Sequence, residues 1–310
     1  MHITTTIVTK SHISWALALN ESLLRFQKDL EFCVLVTDTD EINFPFKKDF
    51  SNTKFLFLKD LVSNLGKKII DKYSQTPDYM RWSLKPILIN HLIDAGYEKV
   101  MFCDCDIYFY SSFDFIWQEL EKSNVLITPH WFNTDVSKNI HTLHTTGIIN
   151  GGFVAVSRKG YAAMEWWAKM CLDKCNSKYG TINVDQGYLE FLPFLFDNVQ
   201  ILKHKGCNVS YWTNENLGRE TDANKFYLVD NEQKFPLVFY HFASNRYSQF
   251  FKQDKPFFEV LNILNASLQK FGNNSDVVKI GQAQNDGKHK KLSFLGKIKA
   301  IFPFRIYRIF

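Results

Sequence analysis

Lys99-Val100-Met101-Phe102-Cys103-Asp104-Cys105-Asp106-Ile107-Tyr108-Phe109 is an apolar run broken by two carboxylates. Its first half reads as a strand buried on both faces. Acids in such a setting are costly unless they are paired or bind a metal. Side chains two apart on an extended chain point the same way. That spacing predicts that Asp104 and Asp106 converge on one cation while Cys105 faces away. A hard divalent ion held by one or two carboxylates, with substrate phosphates completing its shell, is a common way to handle nucleotides. The pair therefore points to metal-dependent work on a phosphorylated donor. The plainer alternative is a strand-end turn, where aspartate is favoured.

Working outward, Ile3 to Val8 reads as a first strand, and Ser14 to Phe26 has helical spacing through Trp15, Leu19, Leu23 and Phe26. Phe32 to Val36 and Phe55 to Leu58 are short apolar runs of the buried-strand kind. A helix is expected from about Asp60, and another over Trp82 to Leu92. Strands alternating with helices predict an α/β sheet of parallel character. Ligands of such sheets sit beyond the carboxyl ends of strands, which is where Asp104 and Asp106 fall.

Downstream, Gly147 to Val156 reads as a strand interrupted by glycines, and glycine there permits close approach of a ligand. Tyr161 to Leu172 is expected to be helical, Asp185 to Phe191 a short helix with an acid in its first turn, and Leu237 to Phe242 a strand ending near His241. Residues 272–287 are polar and read as a linker. Residues 1–271 are thus expected to form the catalytic domain, and 288–310 a separate tail.

Composition narrows the class. The chain has 310 residues, 45% of them hydrophobic, enough for one large domain or two small ones. Of 37 basic residues, seven lie in the last 24 positions, which carry no acid, so the body holds 30 basic against 32 acidic residues. That balance argues against a nucleic-acid partner. The six cysteines include no CxxC pair, a pattern of reduced thiols. No basic stretch followed by an apolar run opens the chain, and no window offers the roughly 18 apolar residues of a spanning helix. A cytoplasmic protein is expected.

Five segments together resemble the GT-A fold glycosyltransferases, most closely family eight and related bacterial lipopolysaccharide glycosyltransferases. In the family's order they are Arg81-Trp82-Ser83-Leu84-Lys85-Pro86, Phe102 to Phe109 with its acid pair, Asn150-Gly151-Gly152-Phe153, Asp185-Gln186-Gly187-Tyr188-Leu189, and His241-Phe242 with Lys255-Pro256 downstream. The resemblance implies a Rossmann-type nucleotide-diphospho-sugar transferase fold, with a mixed central sheet flanked by helices. It also implies a metal-dependent hexosyl transfer from a nucleotide sugar, UDP-linked, to a saccharide or lipid-linked glycan, with retention of anomeric configuration.

Residue by residue, the resemblance puts Mn²⁺ or Mg²⁺ on Asp104, Asp106 and His241. An imidazole beside carboxylates tilts the choice toward Mn²⁺. Arg81 and Lys85 lie one helical turn apart. One or both are expected to meet the donor diphosphate or its sugar, as Lys255 is, where it would neutralise the leaving diphosphate. Asn150, Gly151 and Gly152 are expected to line the donor sugar, and Thr6, with Thr5 and Thr9, the nucleotide base by fold analogy. Asp185 and Gln186 fall beside the anomeric carbon. The family often has a further acid where this chain has Gly187, so no covalent nucleophile is expected from that loop. Asn208 to Trp212 echoes an acceptor segment, although core packing is the plainer account of its aromatics.

Each of these residues has a structural alternative: a core histidine for His241, a helix-start acid for Asp185, a solvated basic face for Arg81 and Lys85. A haloacid-dehalogenase-type phosphatase also carries Asp-x-Asp after a strand, but it needs Thr or Val where Tyr108 stands here. Two other functions compete, namely a metal-dependent phosphotransferase or hydrolase using the same acids, and a non-catalytic, membrane-tethered glycan-binding protein. The tail interleaves Lys288, Lys290, Lys291, Lys297, Lys299, Arg305 and Arg308 with Phe, Leu and Ile. It fits an interfacial anchor on anionic lipid, which would place the protein peripherally on the inner face of the membrane.

Overall fold

A computed structural model describes residues 1–43, 50–132, 135, 140, 143, 145–177, 184–213, 217–223, 225–243 and 255–273. Its centre is built on β1 (His2–Val8), β2 (Glu31–Val36), β3 (Thr53–Phe57) and β4 (Lys99–Cys103). β1 pairs in parallel with both β2 and β4, and β3 adds in parallel to β2. A short strand, β5 (Ile107–Phe109), follows the acid pair. β6 (Val125–Pro129) and β7 (Ile149–Ser157) are antiparallel neighbours, β7 also runs antiparallel to β4, and β8 (Val199–Ile201) is parallel to β6. The sheet order is β3-β2-β1-β4-β7-β6-β8. This is the α/β fold with a mixed sheet that the sequence predicts.

Burial on both faces explains the unbroken apolar runs. In β4, Val100 and Phe102 face one core, whereas Met101 and Cys103 face the other. The first core is closed by helices α2 (Asn64–Tyr73), α3 (Pro77–Asp94) and α5 (Tyr161–Asp173), the second by α1 (Ile13–Leu24) and α4 (Asp114–Glu119). Two short helices, α6 (Asp185–Leu189) and α7 (Leu192–Leu195), lie before β8. Strands β9 (Gly218–Asp222), β10 (Lys225–Asp230) and β11 (Gln233–Pro236) form an antiparallel meander, and β12 (Phe239–His241) pairs with β5. Helix α8 (Lys255–Lys270) is tied to α1 by the ion pair of Lys270 with Glu21 (2.6 Å).

Several expectations change. The helix placed from about Asp60 begins at Asn64, because the Ser63 hydroxyl accepts the Gly66 N–H (3.0 Å) and caps it there. The Trp82–Leu92 helix extends back to Pro77, whose fixed φ suits a first helical position. The strand expected over Leu237–Phe242 shortens to Phe239–His241 and pairs with β5, outside the main sheet. All six cysteines are free, and every one but Cys105 is buried. Most of the expected linker and all of the tail, 288–310, lie outside the described residues. Among the described residues, no helix is long and apolar enough to cross a membrane.

Candidate active site

The acid pair sits on a turn, not on the strand. β4 ends at Cys103, and the Ile107 N–H donates to the Asp104 carbonyl (3.1 Å), closing the turn. Asp104 and Asp106 therefore converge by turn geometry and not by strand alternation, which corrects the sequence argument. The turn is held from both sides. The Asp104 N–H donates to the Gly152 carbonyl (2.7 Å), and the Phe242 N–H donates to the Asp106 carbonyl (2.8 Å).

β12 delivers His241 by pairing it with Ile107, directly after Asp106. The buried imidazole Nε2 lies 3.2 Å from Asp106 Oδ1. Ligand atoms of Asp104, Asp106 and His241 all fall within 4.8 Å of one another, the one such His/Cys/Asp/Glu cluster among the described residues. Burial alone would lower the His241 pKa, yet the charge and hydrogen bond of Asp106, with Asp104 behind, raise it. Burial pushes Asp106 up, but His241 pulls it below its ordinary value.

Lys85 departs from the solvated-face alternative. It is buried, and its Nζ lies 3.1 Å from Asp104 Oδ1, 3.0 Å from Asp185 Oδ2 and 2.9 Å from the Gly151 carbonyl oxygen. Burial disfavours its charge, but the two carboxylates outweigh that and raise its pKa. Burial raises the Asp185 pKa, and Lys85 opposes the rise. Lys85 thus ties the acid pair to the Asp185 segment. Arg81, one turn earlier and half-buried, pairs with the exposed Asp78.

The glycine segment fits between these groups because it lacks side chains. A Cβ on Gly152 would meet His241 Cε1 at 2.4 Å, Asn150 Oδ1 at 2.9 Å and Asp104 Oδ2 at 3.0 Å. One on Gly151 would meet Gln186 Cβ at 2.8 Å and Asp185 Oδ2 at 3.1 Å. Gln186 accepts from the Gly151 N–H (3.3 Å) and donates to the Thr146 carbonyl (2.7 Å). Asn150 Oδ1 accepts from the Gly152 N–H (2.9 Å), and its amide nitrogen lies 3.1 Å from His130 Nε2.

The structure thus brings together Asp104, Asp106, His241, Lys85, Asn150, Gly151, Gly152, Asp185 and Gln186. It does not bring Thr6 to the surface. Thr6 is wholly buried within β1, and Thr5 spends its hydroxyl on the Cys33 carbonyl (3.0 Å). Lys255 opens α8, and its side chain is outside what is described. Sequence reasoning missed His130, which directly follows β6, a strand it did not identify. The buried ring stacks on Phe132 (4.8 Å) and meets the edge of Trp212 (5.3 Å), and burial drops its pKa to about 3.

Asp104, Asp106 and Asp185 face Lys85 and a histidine, leaving a local excess of negative charge. Two carboxylates and an imidazole suit a divalent cation such as Mn²⁺ or Mg²⁺, so the residues present fit one. The family model for nucleotide-diphospho-sugar transferases matches residues 34–194, which takes in the acid turn, the glycine segment and Asp185-Gln186. This chain belongs to that family. It is a glycosyltransferase. It is similar to two Bacillus subtilis (strain 168) proteins, YfnF, 27% identical over 78% of this chain and 80% of that one, and YfnD, 26% identical over 77% and 76%. An active-site mutant of LgtC shares the fold, with TM-score 0.51 and 14% identity over 79% of this chain and 88% of that structure.

Proposed function

We propose that this transferase moves a hexose from a UDP-linked sugar to a saccharide or lipid-linked glycan, with Mn²⁺ or Mg²⁺ held by Asp104, Asp106 and His241. The observation that carries the reading is the convergence of those three side chains against Gly152, with Asp185 joined to them through Lys85. A divalent ion there would neutralise charge on the departing diphosphate.

The chain's own residues do the rest. Lys85 holds Asp104 and Asp185 in fixed relation and keeps both carboxylates supplied with positive charge. Gly151 and Gly152, without side chains, let Asp104 and His241 on one hand and Asp185 and Gln186 on the other close in on one stretch of backbone beside the donor sugar. Asp185 accepts hydroxyls of the donor sugar, and Gln186, braced at both ends of its amide, stands beside the anomeric carbon. With Gly187 in place of a further acid, transfer proceeds with retention and without a covalent glycosyl-enzyme. Arg81 and Lys255 supply further positive charge to the diphosphate. Residues 288–310 hold the enzyme on the anionic inner face of the membrane, where a lipid-linked acceptor is presented.

A panel of nucleotide sugars, assayed for release of free sugar with and without Mn²⁺, tests this. UDP-hexose turnover should stop in EDTA, return with Mn²⁺, and be lost in Asp104→Ala and Asp106→Asn proteins that retain their circular dichroism. Full activity in EDTA would refute the metal role. Release of UMP and hexose 1-phosphate in place of UDP and free sugar would favour a phosphohydrolase. An inverted anomeric centre in the first-formed product, seen by NMR, would refute retention.

A further inference from the structure

Asn208 lies behind His241, fully buried. Its backbone φ is 56°, in the left-handed region that Asn and Gly tolerate best. The side-chain amide nitrogen is 2.9 Å from the Pro129 carbonyl oxygen at the end of β6, and Oδ1 is 3.2 Å from His241 Nδ1. A carbonyl oxygen only accepts, so the amide must turn its NH₂ to Pro129. The reverse orientation would set two oxygens against each other in a buried place. Oδ1 is then fixed toward His241, and an oxygen there demands a proton on Nδ1.

We propose that Asn208 is the positioning residue that keeps the His241 proton on Nδ1, so that Nε2 presents its lone pair to the cluster of Asp104 and Asp106. This deepens the reading of those three residues as a metal site and rests on it. Asp106, 3.2 Å from Nε2, would by itself favour a proton on the wrong nitrogen. Asn208 opposes it with a neutral acceptor that cannot turn away while Pro129 holds its other end. The edge of Trp212 against the His241 ring (5.9 Å, 83°) limits rotation of the imidazole. A ligating histidine commonly gives its second N–H to such an outer partner, whose loss costs about 10- to 100-fold in metal affinity.

Two variants separate this role from a packing role. Asn208→Gly suits the backbone φ but removes the acceptor. Asn208→Asp keeps an oxygen toward Nδ1 in either rotamer, and its other oxygen, protonated in this buried place, donates to the Pro129 carbonyl as the amide did. Mn²⁺ titration followed by electron paramagnetic resonance should show Asn208→Gly weaker than wild type by about 10- to 100-fold, and Asn208→Asp at least as tight as wild type. Equal weakening of both variants would assign Asn208 to packing and overturn the proposal.

A second readout needs no metal. In ¹⁵N-histidine NMR of the metal-free wild type, His241 Nδ1 should bear a proton that exchanges slowly with water, and Asn208→Gly should abolish the slow exchange. An unprotonated Nδ1 in the wild type, or unchanged exchange in the variant, refutes the assignment. If the wild type binds no Mn²⁺, the metal reading fails while this arm still decides the role of Asn208.

Discussion

The Gly152→Ala substitution should act on the proposed metal site from the inside. Its new Cβ would sit 2.4 Å from His241 Cε1, against an optimum of about 3.5–4.0 Å for two carbons. One of them must move by about 1 Å. Asp104 Oδ2, at 3.0 Å, and Asn150 Oδ1, at 2.9 Å, crowd the same atom. His241 cannot retreat easily, since Asn208 holds Nδ1 and its own N–H donates to the Val209 carbonyl (2.7 Å). Overpacking of this kind costs about 1–3 kcal/mol. Replacing Gly by Ala returns a few tenths to about 1 kcal/mol through the unfolded chain, so thermal stability should fall only slightly. The displacement is several times the roughly 0.2 Å tolerance of a metal–ligand distance. Mn²⁺ affinity should therefore fall by about 5- to 150-fold, the same 1–3 kcal/mol expressed as binding. Gly151→Ala is the matched control. Its Cβ strikes Gln186 and Asp185 instead, so it should lower turnover while leaving Mn²⁺ affinity near wild type. Calorimetric titration of both variants decides the matter. Wild-type Mn²⁺ affinity in Gly152→Ala, or identical losses in the two, would refute the placement of His241 and Asp104 around Gly152.

Two further outcomes are expected. His130, with its pKa reduced to about 3 from the ordinary 6.5, stays neutral in the folded protein while the unfolded chain takes up its proton. Stability should fall as pH drops below about 6.5 and go on falling toward 3, losing about 2 kcal/mol by pH 5 at about 1.4 kcal/mol per pH unit. Urea midpoints against pH should lose that slope in His130→Gln, and identical slopes would show that His130 is not the group responsible. Truncation after Gly287 removes all seven basic residues of the tail, each contributing about 1 kcal/mol at an anionic bilayer. The truncated protein should leave anionic vesicles in a flotation assay and retain activity on a small soluble acceptor, whereas equal vesicle binding by both forms would refute the anchor.

The parts legible in the sequence were those set by local pattern. β2 and β4 announce themselves because burial on both faces demands unbroken apolar runs, and β1 by its β-branched Ile, Thr and Val. Asp104 and Asp106 were found because acids at the end of such a run need a cation, although the turn that joins them was read as strand. Long-range pairing left far weaker marks. His241 reaches Asp106 only because β12 pairs with β5, a three-residue strand that no periodicity could reveal. Lys85 and Arg81 occupy one face of α3 and look alike in sequence. Only the fold distinguishes them, sending Lys85 into the space between Asp104 and Asp185 and leaving Arg81 to the exposed Asp78.

His130 was the least legible as a site residue, since a lone polar side chain beside aromatics signals nothing until its partners are known, and Asn208 stood out only within a segment that echoes an acceptor site, with no sign of its contact with His241. Both depend on β6. The Pro129 carbonyl orients Asn208 against His241, while His130 accepts from Asn150, whose oxygen holds the Gly152 N–H. Successive residues at one strand end thus brace the histidine and the glycine segment from behind. The chemistry-bearing acids could be read one segment at a time. The geometry that makes them a site rests on backbone carbonyls and amide orientations, which any residue type supplies and no sequence motif records.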